Sequence, residues 1–541
     1  MLADRSPLTN LMDQRSFVAR RLALVVAFAT AIVALTACAT PTPQQFSPTY
    51  SKSDALLLFE DAFTHIQRRY VEPVSIAPLA LHGVRALMQN GNVGSLQIIE
   101  DGDSITLQRQ AVLLARYNRP TPDDATGWAK LTADVLLQAS QAEATLHAMP
   151  AEQLYKMVMD GVVKQLDPFS RYENARMAAN QKASREGFVG IGVTIKTESG
   201  LTHVVEVLKD TPAATAGLAV GDLLTSADGV PLKDMDGNGV VDHLRGPIGS
   251  SVDLTLQRGV PPRTLAFTLR RDFIIPATVE GRREDNVIVL PLTGFNVNTA
   301  AEVKKEYMRL ESARSRLAGI VLDLRGNPGG LLGQAVQVAD LFLDHGLMVS
   351  TLGRHPASNS SFTADSQQIA AEIPIVILTN GDSASASELL AAALQDRGRA
   401  VVVGTATHGK GTVQNLVEML NGGELVLTWS RMHAPSGYVL DGLGVLPNIC
   451  TADREPVLNA AQVYAKVEAY TRHAAAWHDF RNANAEKAAA LRQFCPAALN
   501  VSDSDMALAK RLLHDPALYQ RALAPTVESA AAGSAYGAGQ S

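Results

Sequence analysis

Three patterns in this 541-residue chain predict a multidomain α+β protein. Apolar residues recur at helical spacing toward both ends, short strands and glycine turns fill roughly 187–271, and strands alternate with helices from about 286 to 452. The length suits two to four domains. With 46% hydrophobic and 19% charged residues there is apolar material for several packed cores. The net charge of −6 is mild for this size, and no basic run offers nucleic acid a surface.

The first segment reads as an export signal. Arg20 and Arg21 precede an apolar run from Leu22 to Leu35, too short to favour a spanning helix. The run ends in Leu35-Thr36-Ala37-Cys38, which resembles a bacterial lipobox with Cys38 as the lipidated residue. This expectation divides the start into a signal peptide (1–37) and a flexible tether (38–52) rich in Pro, Thr and Gln. Ala39 rather than Asp after the cysteine, carried over from lipoproteins generally, favours the outer membrane on the periplasmic side. Cys450 and Cys495 either pair in an oxidising compartment or sit apart as buried thiols.

An N-terminal helical region (53–174) follows. Leu56, Leu57, Phe59, Phe63 and Ile66 share helical spacing, as do Leu154, Met157, Val158, Val162 and Val163. Ser53 is the expected cap of the first helical stretch, and Thr121 with Pro122 behind it the cap of the second. Residues 91–120 are less periodic. His65 and His147 stand alone, no two histidines sit at metal spacing, and neither metal nor cofactor is expected.

In the next region (175–272), Gly190-Ile191-Gly192-Val193 opens a strand. Thr211-Pro212-Ala213-Ala214-Thr215-Ala216-Gly217 then reads as a short helix with a glycine turn, and Gly221-Asp222 enters another strand. Leu244-Arg245-Gly246-Pro247-Ile248-Gly249 reads as a second helix end leading to a last strand. This order resembles a PDZ domain, a small β-barrel with two helices. The resemblance implies that an extended peptide adds as a strand and that backbone amides at Gly190, Ile191, Gly192 and Val193 hold its terminal carboxylate. The insertion Asp234-Met235-Asp236-Gly237-Asn238-Gly239 starts like a calcium loop, but position 12 is Arg245, so a polar turn into the second helix is expected.

The region 273–455 alternates strands at Val287–Pro291, Gly319–Leu324, Ile373–Leu378 and Ala400–Val403 with helical stretches near 299–315, 330–343 and 384–396. The chemistry lies at the strand ends. Ser385, in Gly381-Asp382-Ser383-Ala384-Ser385-Ala386-Ser387-Glu388, falls at a strand–turn–helix junction. Unpaired amides there can receive an oxyanion. A free hydroxyl is a poor nucleophile and needs a base. His408 is close by in sequence but has no orienting carboxylate. Lys410, between Gly409 and Gly411, serves if burial keeps it neutral. Gln414, one turn on if the stretch is helical, could orient the amine without adding charge.

These segments resemble the C-terminal processing peptidases, or tail-specific proteases. So do Leu166-Asp167-Pro168-Phe169-Ser170-Arg171-Tyr172, Leu322-Asp323-Leu324-Arg325-Gly326-Asn327-Pro328-Gly329-Gly330, Gln395-Asp396-Arg397-Gly398-Arg399 and Pro435-Ser436-Gly437. The resemblance runs from about Asp54 to Ile449. It implies an α/β serine endopeptidase core with a mixed sheet, Ser385 as nucleophile, Lys410 as general base and Gln414 as its orienting partner. The oxyanion hole would come from the amide of Ala386 and one from Gly329 or Gly330. Asp396 reads as structural, capping or pairing with Arg399, and Ser383 and Ser387 as helix caps. Asp323 and Arg325 would fix the glycine turn, and Asn448, where the family usually has Asp, puts a loop hydrogen bond in question. The rival reading is a catalytically inactive scaffold that binds peptides through its PDZ domain. Intact Ser385, Lys410 and Gln414 speak against it.

Beyond Thr451 the resemblance fades into a C-terminal helical extension (456–528), with 453–470 and 475–494 helical, and a disordered tail (529–541) of Ala, Gly and Ser. Expected partners are protein or peptide substrates and, through Cys38, a membrane. Apolar helical faces at both ends leave self-association open, and an adaptor or activator protein is likewise open.

Overall fold

The computed structural model describes residues 46–90, 93–311, 316–365, 368–453, 459–499 and 503–524. The signal segment, Cys38 and the 529–541 tail lie outside these residues. Among the described residues no helix is long and apolar enough to cross a membrane.

The N-terminal region begins earlier than the tether boundary allowed. Ser47 donates its amide to Asp54, Tyr50 packs against Tyr155, and Ser51, not Ser53, caps helix α1 (Lys52–Arg69). Helix α2 (Ile76–Asn90) follows. Residues 96–118, aperiodic at helical spacing, form an antiparallel sheet of β1 (Leu96–Asp101), β2 (Ser104–Arg109) and β3 (Val112–Asn118). Ile105 and Leu107 of β2 are buried while most of β1 and β3 is exposed, so the sheet carries no helical stripe and its β3 pattern is weak. Asp124, not Thr121, caps α3 (Ala125–Ala142), because its carboxylate reaches the amide of Gly127. Helix α4 (Ala151–Val163) completes the region. Its core is continuous with Val417, Met419, Leu425 and Leu427 of the peptidase-side sheet.

Strand β4 (Arg171–Glu173) and helix α5 (Ala175–Glu186) lead into the PDZ-like region. Its elements are β5 (Phe188–Gly190), β6 (Val193–Glu198), β7 (Leu201–Val207), α6 (Pro212–Ala216), β8 (Leu223–Ala227), α7 (Gly237–Leu244), β9 (Ser251–Arg258), β10 (Arg263–Arg270) and β11 (Asp272–Ile274). The sheet order β10-β9-β8-β7-β6 leaves β6 as an edge. Three strands, rather than one last strand, follow α7. The calcium-like insertion is the cap of α7: Asp236 accepts from the amide of Gly239.

The third region is built on a six-stranded sheet. Its strands are β12 (Arg282–Glu284), β13 (Val287–Pro291), β14 (Gly319–Asp323), β17 (Ile375–Thr379), β18 (Ala400–Gly404) and β21 (Ile449–Cys450), in order β12-β13-β14-β17-β18-β21. All neighbours are parallel except β12 with β13. The four central strands are nearly uninterrupted apolar runs because both faces are covered. Helices α8 (Thr299–Glu311), α9 (Leu332–Asp340) and α10 (Ala386–Asp396) pack on one face. On the other lie residues of α11 (Ala460–His478), α13 (Asp503–His514) and the helical stretch 516–524. The presumed extension is therefore a layer of the core, and its first helix runs unbroken through 471–474. Helix α12 (Ala485–Arg492) lies between α11 and α13, and Cys495 just after it is bonded to Cys450, with Cα atoms 6.0 Å apart.

A second, antiparallel sheet stands beside this core. Its strands are β15 (Leu347–Leu352), β16 (Ser360–Thr363), β19 (Thr412–Glu418) and β20 (Glu424–His433), in order β16-β15-β20-β19, with β4 also paired to β20. That pairing brings the Asp167–Tyr172 segment from the N-terminal region onto the peptidase side.

Candidate active site

Register places the carboxyl ends of three parallel strands side by side. Asp323 pairs with Leu378, and Leu378 with Val403. The loops that follow β14, β17 and β18 therefore emerge at one edge, where open parallel sheets place their ligand sites. These loops carry Gly329-Gly330, Ser385 and Lys410.

Ser385 is the residue preceding α10, at φ +56° and ψ −112°. This backbone region is rarely entered by a residue with a side chain, and holding it costs about 1–3 kcal/mol. The surroundings enforce it. Ser383 and Ser387 are not caps: the Ser383 hydroxyl donates to the carbonyl of Leu324 (2.8 Å) and the Ser387 hydroxyl to the carbonyl of Asn327 (3.0 Å). Both bonds bind the serine turn to the glycine turn. The Asp323 carboxylate and Arg325 form a two-pronged pair (2.8 and 2.7 Å) at the base of that glycine turn, as expected.

The two glycines are not equivalent. Gly329 is buried, and its amide donates to Asn327 Oδ1 (2.9 Å). A Cβ there would lie 2.9 Å from Ser385 Cβ and 3.0 Å from Ala386 N, so only glycine lets the turns meet. Gly330 is exposed, and its amide, like that of Ala386, donates to no described residue. Two N–H groups without a partner among the described residues thus lie in the serine and glycine turns, which meet at Ser385 and Gly329.

Glu388 is the organising residue that sequence reading passed over. Fully buried, it accepts from the Ser385 amide (2.7 Å) and the Lys410 amide (2.9 Å) on one oxygen, and from the Gly409 amide (2.6 Å) and the Thr407 hydroxyl (2.5 Å) on the other. Burial pushes its carboxyl upward, but all four partners are donors, so the pocket is built for the ion. The signal lay in its position: a glutamate three residues after Ser385 on a helix apolar all round had to find donors at its own N-terminus.

Lys410 is half-buried. Desolvation, then the charge of Arg171, holds its amine below the usual lysine range, with Glu388 and Asp167 acting weakly the other way. Its Nζ lies 5.2 Å from the centre of the Phe169 ring, and no hydrogen bond joins it to Ser385 Oγ. Phe169 sits in a loop tied by Asp167, which accepts from the amides of Phe169 (2.7 Å) and Ser170 (2.9 Å) and the hydroxyl of Thr428 (3.0 Å). Gln414 lies on strand β19, not on a helix. Its Nε2 donates to Thr412 (2.8 Å) and Thr428 (3.3 Å), leaving its carbonyl oxygen as a spare acceptor. His408 is exposed, and only its backbone is engaged, to Ser383.

Asp396 is structural, but its partner is Ser436 (2.9 Å to the amide, 2.6 Å to the hydroxyl) rather than Arg399. Arg399 instead donates to the carbonyls of Phe342, Ile373 and Ala370. Asn448 keeps its loop bonded, accepting from Val402 (2.8 Å) and Gln395 (2.9 Å).

In the second candidate site, Gly190 ends β5, the buried Ile191 accepts from Ala213 (2.8 Å), Gly192 takes φ +89° against Thr211, and Val193 starts edge strand β6. The four residues follow one another from the end of β5 into the start of edge strand β6.

The sequence model of peptidase family S41 matches residues 286–451, and that of the PDZ domain matches 203–258. A carboxy-terminal-processing protease of Bartonella bacilliformis is 38% identical over 301 residues, 55% of this chain and 69% of the relative. A probable CtpA-like serine protease of Staphylococcus haemolyticus is 34% identical over 302 residues, 55% of this chain and 60% of that one. Among solved structures, the photosystem II D1 C-terminal processing protease aligns over 74% of this chain and 93% of its own, at 25% identity and a TM-score of 0.37. Nothing in the site or among these relatives favours a non-catalytic scaffold. The chain belongs to peptidase family S41, as a carboxy-terminal-processing serine protease with a PDZ domain.

Proposed function

We propose that Ser385 and Lys410 are the catalytic pair and that the enzyme cleaves exported proteins near their C-termini. The observation that carries this is the Glu388 carboxylate, which bonds the backbone of both residues at once and so fixes the base loop to the nucleophile turn. Swinging off the Phe169 ring, neutral Lys410 would take the Ser385 proton as Oγ attacks the scissile carbonyl. The oxyanion would fall to the free amides of Ala386 and Gly330, with Gly329 bracing the turn. Collapse would pass the lysine proton to the leaving amine, and water activated by the same lysine would release the acyl group. The spare carbonyl oxygen of Gln414 is suited to accept from the lysine as it turns.

The PDZ domain supplies peptide binding, with Gly190 to Val193 proposed as the carboxylate end of its groove. The Leu35–Cys38 pattern supports export and lipid anchoring at Cys38 on the periplasmic side, outer membrane favoured, and the Cys450–Cys495 pairing accords with an oxidising compartment.

Casein degradation tests the pair. Wild type should degrade it, and Ser385→Ala and Lys410→Ala should both lose activity. Full activity in Lys410→Ala would transfer the base role to His408. Fractionation of cells expressing Cys38→Ser tests the anchor, with release from membranes expected.

A further inference from the structure

The buried carboxylate of Glu388 needs a counter-charge, and the base beside it cannot be that charge. Its four donors are three amides and a hydroxyl, none of them charged. Lys410 must be neutral to take the Ser385 proton, so it leaves the carboxylate uncompensated at the moment of reaction. Among the described residues the groups that face Glu388 are Lys410, the Tyr438 phenol, which burial keeps protonated, and Arg492. His408, on the same loop, is exposed.

Arg492 is the last residue of α12 and lies beyond the stretch that the peptidase family model matches. Its guanidinium bridges two carbonyls: Nη2 donates to Thr407 (2.8 Å) and Nη1 to Leu443 (2.5 Å). Thr407 is also the residue whose hydroxyl reaches Glu388. A Cβ on Gly444 would lie 3.1 Å from Arg492 Nη1 and 3.1 Å from Glu388 Oε1, so the two charged groups border one point that only glycine leaves open. A Cβ on Gly409, next to Lys410, would lie 3.3 Å from the same nitrogen. Burial disfavours the charge on Arg492, and Glu388 acts the other way. The backbone that follows is tied to the nucleophile turn. Cys495 is bonded to Cys450, the Ala498 carbonyl accepts from the Gly381 amide (2.7 Å), and the Leu499 carbonyl accepts from Asn380 Nδ2 (3.0 Å). One short C-terminal stretch therefore touches both the base loop and the serine loop.

We infer that Arg492 is a positioning residue: it ties down the base loop through the Thr407 carbonyl and supplies the counter-charge that keeps Glu388 an acceptor while Lys410 is neutral. This rests on the reading of Ser385 and Lys410 as the catalytic pair. Removing the cation lets Glu388 take up a proton at higher pH. A protonated Glu388, like a glutamine, sets a donor against donors, and the base loop loses its anchor.

The test measures initial rates of the full chain in detergent on labelled casein across the neutral and alkaline range. In Arg492→Gln, kcat should fall below wild type by a factor that widens as the pH drops. It should approach the loss expected of Glu388→Gln, about 10²-fold, with KM unchanged. Arg492→Lys keeps the charge and should restore the shape of the wild-type pH profile. In Glu388→Gln there is no charge to balance, so adding Arg492→Gln should lower kcat little further, and equally at every pH. A factor that is constant with pH, or the same in both backgrounds, overturns the inference, as does wild-type kcat in Arg492→Gln. Should Arg492→Gln fail to fold, the double variant decides: melting like Glu388→Gln supports the inference, and failing to fold overturns it. Full activity in Lys410→Ala, measured alongside, removes the catalytic pair and this inference with it.

Discussion

The amine of Lys410 is useful only when neutral, and its environment sets the pH at which that happens. An ordinary lysine titrates near about 10.4. Desolvation and Arg171 move Lys410 below that, so kcat/KM should climb with pH through a midpoint on the acid side of the usual lysine value. Removing a neighbouring cation must raise the midpoint. Arg171→Gln should therefore shift the rising limb to higher pH, and only modestly because Arg171 is partly exposed and screened. A shift to lower pH would contradict the assignment. Glu388→Gln exchanges one acceptor oxygen for an NH₂ group facing N–H and O–H donors. The base loop should move, lowering kcat by about 10²-fold and stability by roughly 1–3 kcal/mol. Wild-type values for both would show that the four bonds do not position the pair. The strained backbone of Ser385 offers a third measurement. Both Ser385→Gly and Ser385→Ala lack the hydroxyl, but only glycine adopts φ +56° without strain, so the glycine variant should be more stable by about 1 kcal/mol in thermal unfolding.

At the scale of elements, legibility followed how local the determining physics was. The apolar runs Val287–Pro291, Ile375–Thr379 and Ala400–Gly404 read as buried strands because a parallel sheet covered on both faces needs no alternation. Ser385 and Lys410 were legible from turn chemistry around them. What covers the far face of the sheet was not. The alanine-rich stretches after Thr451 show helical period but carry no mark of their target, so sequence alone leaves them as a separate extension. The conformation around Gln414 stays open in the sequence for the same reason: spacing alone cannot distinguish one turn of helix from a bulged strand, and its pairing with Thr428 decides it. The consequence is testable. Val287, Val289, Val321, Val376, Leu378, Val401, Val403 and Ile449 face the C-terminal helices. Exposing eight such side chains forfeits roughly 1.5–3 kcal/mol each, against a total stability of about 5–15 kcal/mol for a domain. A chain ended after Asp453 should accumulate as insoluble protein. Soluble, cooperatively melting protein of that length would show that the helices are an accessory.

At the scale of the molecule, one stretch connects both sites. From Phe169, under Lys410, the chain runs through β4 on the second sheet and α5 to Gly190 at the PDZ turn. Helix α5 is pinned near its end. Arg185 makes a two-pronged pair with Glu424 of β20 (3.2 and 3.0 Å), both side chains largely buried, and its carbonyl accepts from Val297 (3.0 Å). This pair holds the PDZ entry to the peptidase sheets without touching the reacting groups. Arg185→Ala leaves Glu424 without its counter-charge, which should lower stability by about 1–3 kcal/mol and speed amide exchange along 175–186. The kinetic signature should separate by substrate length. A long substrate held by the PDZ groove depends on the spacing between groove and nucleophile, so its KM should rise. A short peptide that reaches only Ser385 should keep its kcat/KM and its pH profile, because Lys410, Glu388 and the free amides are untouched. Equal losses on both substrates would mean that the pair supports the active site itself rather than the alignment of the two domains.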